Sequence, residues 1–155
     1  MEGKEKGDMK KVLVVGSLNM DMVLSVDHHP VPGETIIGDG ITYHPGGKGA
    51  NQAYAVGKLG GDVRIIGCVG WDNNGMILTE NLAQAGVDTT AINRMPEAPT
   101  GMAIIDVDKK GDNSIIVISG ANACLTPDLL RKQKASVEWS DFIMTQLETP
   151  IDTVL

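Results

Sequence analysis

Three short apolar runs punctuate the chain. Residues 11–16 read Lys-Val-Leu-Val-Val-Gly, residues 62–70 read Asp-Val-Arg-Ile-Ile-Gly-Cys-Val-Gly, and residues 142–144 read Phe-Ile-Met. Aliphatic and β-branched runs of this length predict strands buried on both faces. Between them the hydrophobic period lengthens to that of a helix. Over residues 49–59, Ala50, Ala53, Tyr54 and Gly57 share one face, and Gly60-Gly61 supplies a stop. Asp72 can cap a helix on which Leu78, Leu82 and Ala85 align and which Gly86 ends. Thr126-Pro127-Asp128 and Thr149-Pro150-Ile151 both have the form of a capping residue followed by proline at a helix start. Strands alternating with helices predict an α/β fold, a mostly parallel sheet flanked by helices.

Two regions depart from that alternation. Residues 20–26 and 34–43 predict extended segments joined by a His28-His29-Pro30-Val31-Pro32-Gly33 loop. Residues 101–107 and 114–119 flank Asp108-Lys109-Lys110-Gly111-Asp112-Asn113, a turn signal that predicts a hairpin. These four strands predict a small second sheet, too small to bury an apolar face by itself, which covers a cleft or pairs with another subunit. Residues 1–10 form a charged tail and residues 11–155 the domain. The helix opened by Thr149-Pro150 has about a turn and a half before Leu155, at ~3.6 residues per turn, and meets no stop signal. The chain therefore reads as a fragment.

Composition narrows the function. The net charge is -7, and the aromatic residues are two Trp, two Tyr and one Phe. A nucleic-acid binder more often shows a basic face or stacking platforms, so nucleic acid is not expected as a partner. Cys68 and Cys124 both lie among apolar residues and predict buried thiols in a reducing compartment rather than a disulfide. No Cys/His spacing suggests zinc. The N-terminal tail lacks the apolar stretch of a secretory signal, and no run approaches the ~20 apolar residues of a membrane span. A cytoplasmic protein is expected.

The candidate chemistry sits where strands end. Gly46-Gly47-Lys48-Gly49-Ala50-Asn51-Gln52-Ala53 lets the backbone turn tightly into a helix, leaving its first N–H groups to face an oxygen-rich ligand. Lys48 adds a positive charge, and Asn51 a donor and an acceptor suited to sugar hydroxyls. The same residues would also suit a plain glycine-rich helix start whose lysine points to solvent. Neither a phosphate-binding GxxxxGK[S/T] loop nor a dinucleotide-binding GxGxxG occurs. Asn19 and Asp21 follow the first strand, where open α/β sheets bind ligands, and match a vicinal diol; a local Asx turn is the competing account. Glu148, after residues 142–144, holds the corresponding place at its strand end, or is a solvated carboxylate favoured by a helix dipole.

In order, Gly16-Ser17-Leu18-Asn19-Met20-Asp21, Pro32-Gly33-Glu34-Thr35, the Gly46–Ala53 segment, Ser119-Gly120-Ala121-Asn122-Ala123 and Gln146-Leu147-Glu148-Thr149-Pro150 closely resemble the ribokinase family of carbohydrate kinases. The resemblance runs in register from about Lys11 to Leu155. Adenosine kinases and fructokinases usually keep the paired glycines but not the Lys-Gly-Ala-Asn that follows. The resemblance implies a ribokinase-like fold in which the second sheet is a lid over the sugar and a homodimer contact. It implies that Asn19 and Asp21 hold ribose hydroxyls, that Gly47, Lys48, Gly49, Ala50 and Asn51 close around the sugar, that Ala103 touches it from the lid, and that Glu148 contacts it from the opposite side. The implied reaction is transfer of the ATP γ-phosphoryl group to O5 of ribose, aided by Mg2+ and stimulated by K+.

One departure is large. The family carries a later Asp-Thr-x-x-x-Gly-Asp-like segment whose glycine amides form an anion hole and whose final Asp is the base. Here Gly-Asp occurs at 7–8, 38–39, 61–62 and 111–112, each time outside any such motif. The C-terminal half, with the nucleotide and K+ sites, is then missing and no catalytic residue is assigned. Lacking base and anion hole, the chain alone is not expected to be a competent kinase. The alternative is a non-catalytic sugar-binding or dimerising module.

Overall fold

A computed structural model describes residues 9–155; the first eight residues of the charged tail lie outside the described residues. Two four-stranded sheets organise the chain. The first is parallel throughout, in the order β5-β4-β1-β8, and comprises β1 Lys11–Val15, β4 Asp62–Gly70, β5 Ile92–Met95 and β8 Phe142–Thr145. The second has the order β3-β2-β6-β7, built from β2 Asn19–Ser25, β3 Gly40–Gly46, β6 Gly101–Val107 and β7 Asn113–Ile118. Within it β2 and β6 run parallel, while β3 and β7 are antiparallel to their neighbours. The helices are α1 Lys48–Lys58, α2 Asn73–Gln84, α3 Pro127–Lys132, α4 Lys134–Trp139 and α5 Ile151–Val154, with a 3-10 turn at Gly120–Cys124.

The unbroken apolar runs have a simple cause. Successive strand side chains point to opposite faces, and both faces of the parallel sheet are covered along β1 and β4; contrary to expectation, the edge strand β8 leaves Phe142 56% and Ile143 51% exposed. Val14 and Ile65 enter one core with Ala53, Leu78 and Leu82 of α1 and α2. Leu13, Val15, Ile66 and Cys68 enter a second core with Leu125 and, at its margin, Leu129, Leu130 and Val137. Cys68 is fully buried and Cys124 partly so, both as free thiols; burial, then the neighbouring Cys124, pushes the Cys68 thiol up to about 12. Helix starts follow the expected caps in two cases. The Asp72 carboxylate accepts from the Gly75 amide at 2.8 Å and from Thr100 N at 2.7 Å, fastening α2 to the start of β6. Thr126 caps α3 through Leu129 N.

Three expectations need correction. Residues 34–39 are not strand: β2 ends at Ser25 opposite Gly40, so the segment before Gly40 has no strand to pair with, and Ile37 is 91% exposed. The strand instead runs on to Gly46 and delivers the glycines directly into α1. Thr149 does not cap α5, whose N-cap is Pro150; its hydroxyl is buried without a hydrogen-bond partner. The sequence reading also lacks β5 and α4, two short elements whose polar Asn93, Arg94 and Lys134 obscure any period.

Leu82 is 0% exposed at the centre of the core beneath α2. Leu82→Ala should cost about 3 kcal/mol of unfolding free energy, the middle of the range for such truncations, measured by urea denaturation followed by circular dichroism. A loss below about 1 kcal/mol would mean that the site collapses around the cavity.

Candidate functional site

The site forms where the chain leaves the parallel sheet. After Val15 it crosses through Gly16, Ser17 and Leu18 and enters the second sheet at Asn19. Asn19 and Asp21 are two residues apart on one strand and so share a face. Cross-strand register puts Ala103 of β6 and His44 of β3 on that face too, each directly beside Asp21.

Glu148 enters from the loop after β8. Its Oε2 accepts from Ser17 Oγ at 2.7 Å and from the Lys48 backbone amide at 3.1 Å, while Oε1 meets Lys48 Nζ at 2.8 Å. Burial alone would raise the Glu148 carboxyl, yet the bonds from Lys48 and Ser17 hold it below its ordinary value. Asp21 shows the opposite balance: burial, and then the Glu148 charge, raise its carboxyl against a smaller pull from His44. The cleft thus holds one firmly ionised carboxylate and one whose charge is short of partners, an arrangement suited to accepting hydroxyl protons from a ligand.

Glycine makes the approach possible. Gly47 caps α1 at φ 91°, and a Cβ there would lie 2.7 Å from Asn19 N. A Cβ on Gly49 would lie 2.6 Å from Ser17 N and 2.7 Å from the Gly16 carbonyl carbon. These are backbone atoms that cannot move aside, so α1 packs against the crossing segment only with glycine at these places.

That packing corrects one expectation. The first N–H groups of α1 do not face open space: Lys48 N donates to Glu148, Gly49 N to Ser17 Oγ at 3.3 Å, and Ala50 N to Ser17 O at 2.9 Å. The helix start is satisfied by protein oxygens, because an unpaired buried amide would be costly.

Of the nine expected residues, the structure brings Asn19 and Glu148 to one cavity; Asp21 and Ala103 lie side by side two residues along the same face of the second sheet, and Gly47, Lys48 and Gly49 reach the crossing segment and Glu148 from the start of α1. Asn19 and Glu148 line a cavity of about 440 Å³ with Asn122 and Thr149. Ala50 and Asn51 instead line a neighbouring cavity of about 270 Å³ between α1, α2 and β3, with His44, Tyr54 and Asn81. The sequence reading assigned no role to Ser17, Asn122 or His44. Ser17 is 0% and Asn122 1% exposed; a hydroxyl and an amide in otherwise apolar surroundings were the available signals. Among the described residues no group of three or more His, Cys, Asp or Glu is placed to hold a metal ion, and no helix is long and apolar enough to cross a membrane.

Comparison with known proteins finds carbohydrate kinases. Residues 9–149 match the model of the pfkB family of carbohydrate kinases. The chain is 45% identical over 147 residues to a ribokinase of Haemophilus influenzae, covering 94% of this chain and 48% of that protein. It superimposes on a ribokinase structure from Thermotoga maritima with a TM-score of 0.85 at 42% identity, covering 94% of this chain and 48% of the other. On the Arabidopsis thaliana ribokinase complexed with ribose and ATP the TM-score is 0.83 at 31% identity, covering 94% and 49%. The chain spans about half the length of the curated relatives it matches.

The Glu148 carboxyl is held below its ordinary value in the fold, so its contribution to stability is present above the unfolded-state value and is lost as pH falls through the folded one. Glu148→Gln should therefore melt below the wild type at neutral pH, and the difference should close on acidification through the carboxylate range. A difference that persists undiminished in acid would show that packing, not charge, holds this segment.

Proposed function

The chain belongs to the pfkB family of carbohydrate kinases, and from that membership we propose that it forms the sugar-holding part of an ATP-dependent ribokinase. The reaction transfers the γ-phosphoryl group of ATP to O5 of D-ribose: a bond forms between O5 and the γ-phosphorus, the bond to the β–γ bridging oxygen breaks, and ADP and ribose 5-phosphate result. The observation that carries this reading is that Asn19 and Glu148 line one cavity, with Asp21 two residues along the Asn19 strand within reach of the Glu148 charge and Gly47 and Gly49 pressed against the crossing segment. The ribokinases among its relatives support the substrate and the reaction.

In this reading Asp21 accepts protons from ribose hydroxyls, Asn19 offers an amide to their neighbour, and Glu148 with Lys48 closes the far side. Ala103, beside Asp21 in the second sheet and 6% exposed, gives the sugar an apolar wall. Gly47 to Asn51 bring α1 up to the ligand. Asn51 reaches it from the wall of the adjoining cavity. The nucleotide pocket and the base that takes the O5 proton belong to residues outside these 155, the other half of the length its relatives have. ATP is the phosphoryl donor, and Mg2+ and K+ accompany it in the family; none of the described residues is assigned to either ion.

The second sheet also supports a homodimer. Register aligns Tyr43, Met22, Ile104 and Ile116 across all four strands, on the face turned away from Asp21. Tyr43 is 56% and Ile116 62% exposed. An apolar stripe of this kind marks an interface, and two copies of the chain meet there in our reading. A cytoplasmic location goes with a substrate that needs ATP.

Isothermal calorimetry with D-ribose tests the sugar assignment. The folded chain should bind ribose, and Asp21→Ala should weaken binding about tenfold or more, the effect of losing a charge-assisted hydrogen bond. Equal affinity in the wild type and the folded variant would overturn the reading.

A further inference from the structure

Asn122 lies in the 3-10 turn Gly120–Cys124, 1% exposed, and reaches back to the crossing segment more than a hundred residues earlier. Its Oδ1 accepts from Leu18 N at 2.9 Å, and its Nδ2 donates to Leu18 O at 3.0 Å. A backbone N–H can only donate and a carbonyl can only accept, so these two bonds allow the Asn122 carboxamide a single orientation. The second Nδ2 hydrogen then points to Asn19 Oδ1, 2.7 Å away. Gly101 leaves room for this meeting, since a Cβ there would strike both Asn122 Nδ2 and Asn19 Oδ1.

Resting on the ribose reading above, we propose that Asn122 is a positioning residue that turns the oxygen of Asn19 inward and its amide hydrogens toward the sugar. Asn19 is 4% exposed and lines the cavity with Glu148; its Nδ2 has no partner among the described residues. Orientation passes from the Leu18 backbone through Asn122 to Asn19, and Asn19 acts in the cleft as a donor. This matters because the two carboxylates of the site, Asp21 and Glu148, are acceptors when ionised. A hydroxyl facing Asn19 accepts, and its own proton or that of its vicinal neighbour goes to Asp21. Without the relay the Asn19 carboxamide could present its oxygen, leaving acceptors against sugar lone pairs.

The relay can be tested without sugar, by hydrogen exchange of the side-chain amides in NMR. Both Asn122 Nδ2 hydrogens are bonded, so they should exchange much more slowly than those of Asn19; the reverse order would overturn the proposal. With ribose, Asn19→Asp keeps an acceptor for Asn122 Nδ2 but replaces the cleft donor by an oxygen, and should lower affinity about tenfold or more at neutral pH with the fold retained. Wild-type affinity in that variant would sink the donor role. Asn122→Asp keeps the acceptor for Leu18 N and loses both donors, and should weaken ribose to a similar extent. Should that variant not fold, Asn19→Asp and the exchange order decide. A chain that shows the expected exchange order yet binds no ribose would sink the ribose reading and leave the relay standing.

Discussion

Everything in the site hangs on how three buried residues cross from one sheet to the other. Gly16, Ser17 and Leu18 leave the parallel sheet and must satisfy their backbone groups away from water, where an unpaired amide or carbonyl costs about 1–3 kcal/mol. The structure meets that demand from four directions. Gly16 N donates to Ile66 O of β4, Ser17 O accepts from Ala50 N of α1, and Leu18 uses both its groups on Asn122. Ser17 Oγ donates to Glu148. Elements from both ends of the chain are thereby fastened to one short segment, and two of the fastening residues, Asn122 and Glu148, are also walls of the cleft. Binding geometry and fold closure use the same hydrogen bonds.

This double use explains the glycines better than flexibility does. A helix start normally presents free amides to a ligand. Here α1 is pressed so close to the crossing segment that Ser17 and Glu148 take those amides first. The consequence for chemistry is that recognition falls to side chains. In the proposed reading Asn19, Asp21, Lys48 and Glu148 carry the polar contacts, and the glycines determine how near α1 stands to the crossing segment.

The parallel sheet, the second sheet and two of the helix caps were legible because each rests on a local pattern: continuous apolar runs for strands covered on both faces, a turn sequence between β6 and β7, Asp72 and Thr126 before their helices. The start of β3 was not, since it is fixed by where β2 ends rather than by residues 34–39 themselves. Asn19, Asp21 and Glu148 could be picked out as polar residues at strand ends, a position fixed by topology. Ser17 and Asn122 could not be given roles, because each acts across a long chain separation and nothing adjacent to them announces a partner. Thr149 misled for a related reason: its cap-and-proline form is local, whereas the fold buries it beside the Glu148 loop.

The Lys48–Glu148 pair shows how such a site can be rigid and still yield to a ligand. The Lys48 side chain is 70% exposed, and an exposed ion pair contributes only about 0–1 kcal/mol. Glu148 is held more firmly by Ser17 Oγ and the Lys48 backbone amide, which belong to the crossing segment and the helix start. A hydroxyl that competes with Lys48 Nζ for Oε1 therefore displaces the weakest of three bonds and leaves the carboxylate in place. Asp21 offers no such choice: its carboxyl is raised by burial and by Glu148, so an incoming proton donor relieves an unfavourable charge rather than replacing a good partner. The two carboxylates thus favour a ligand for opposite physical reasons, one because it is preorganised at little cost to open, the other because it is under-partnered until the ligand arrives.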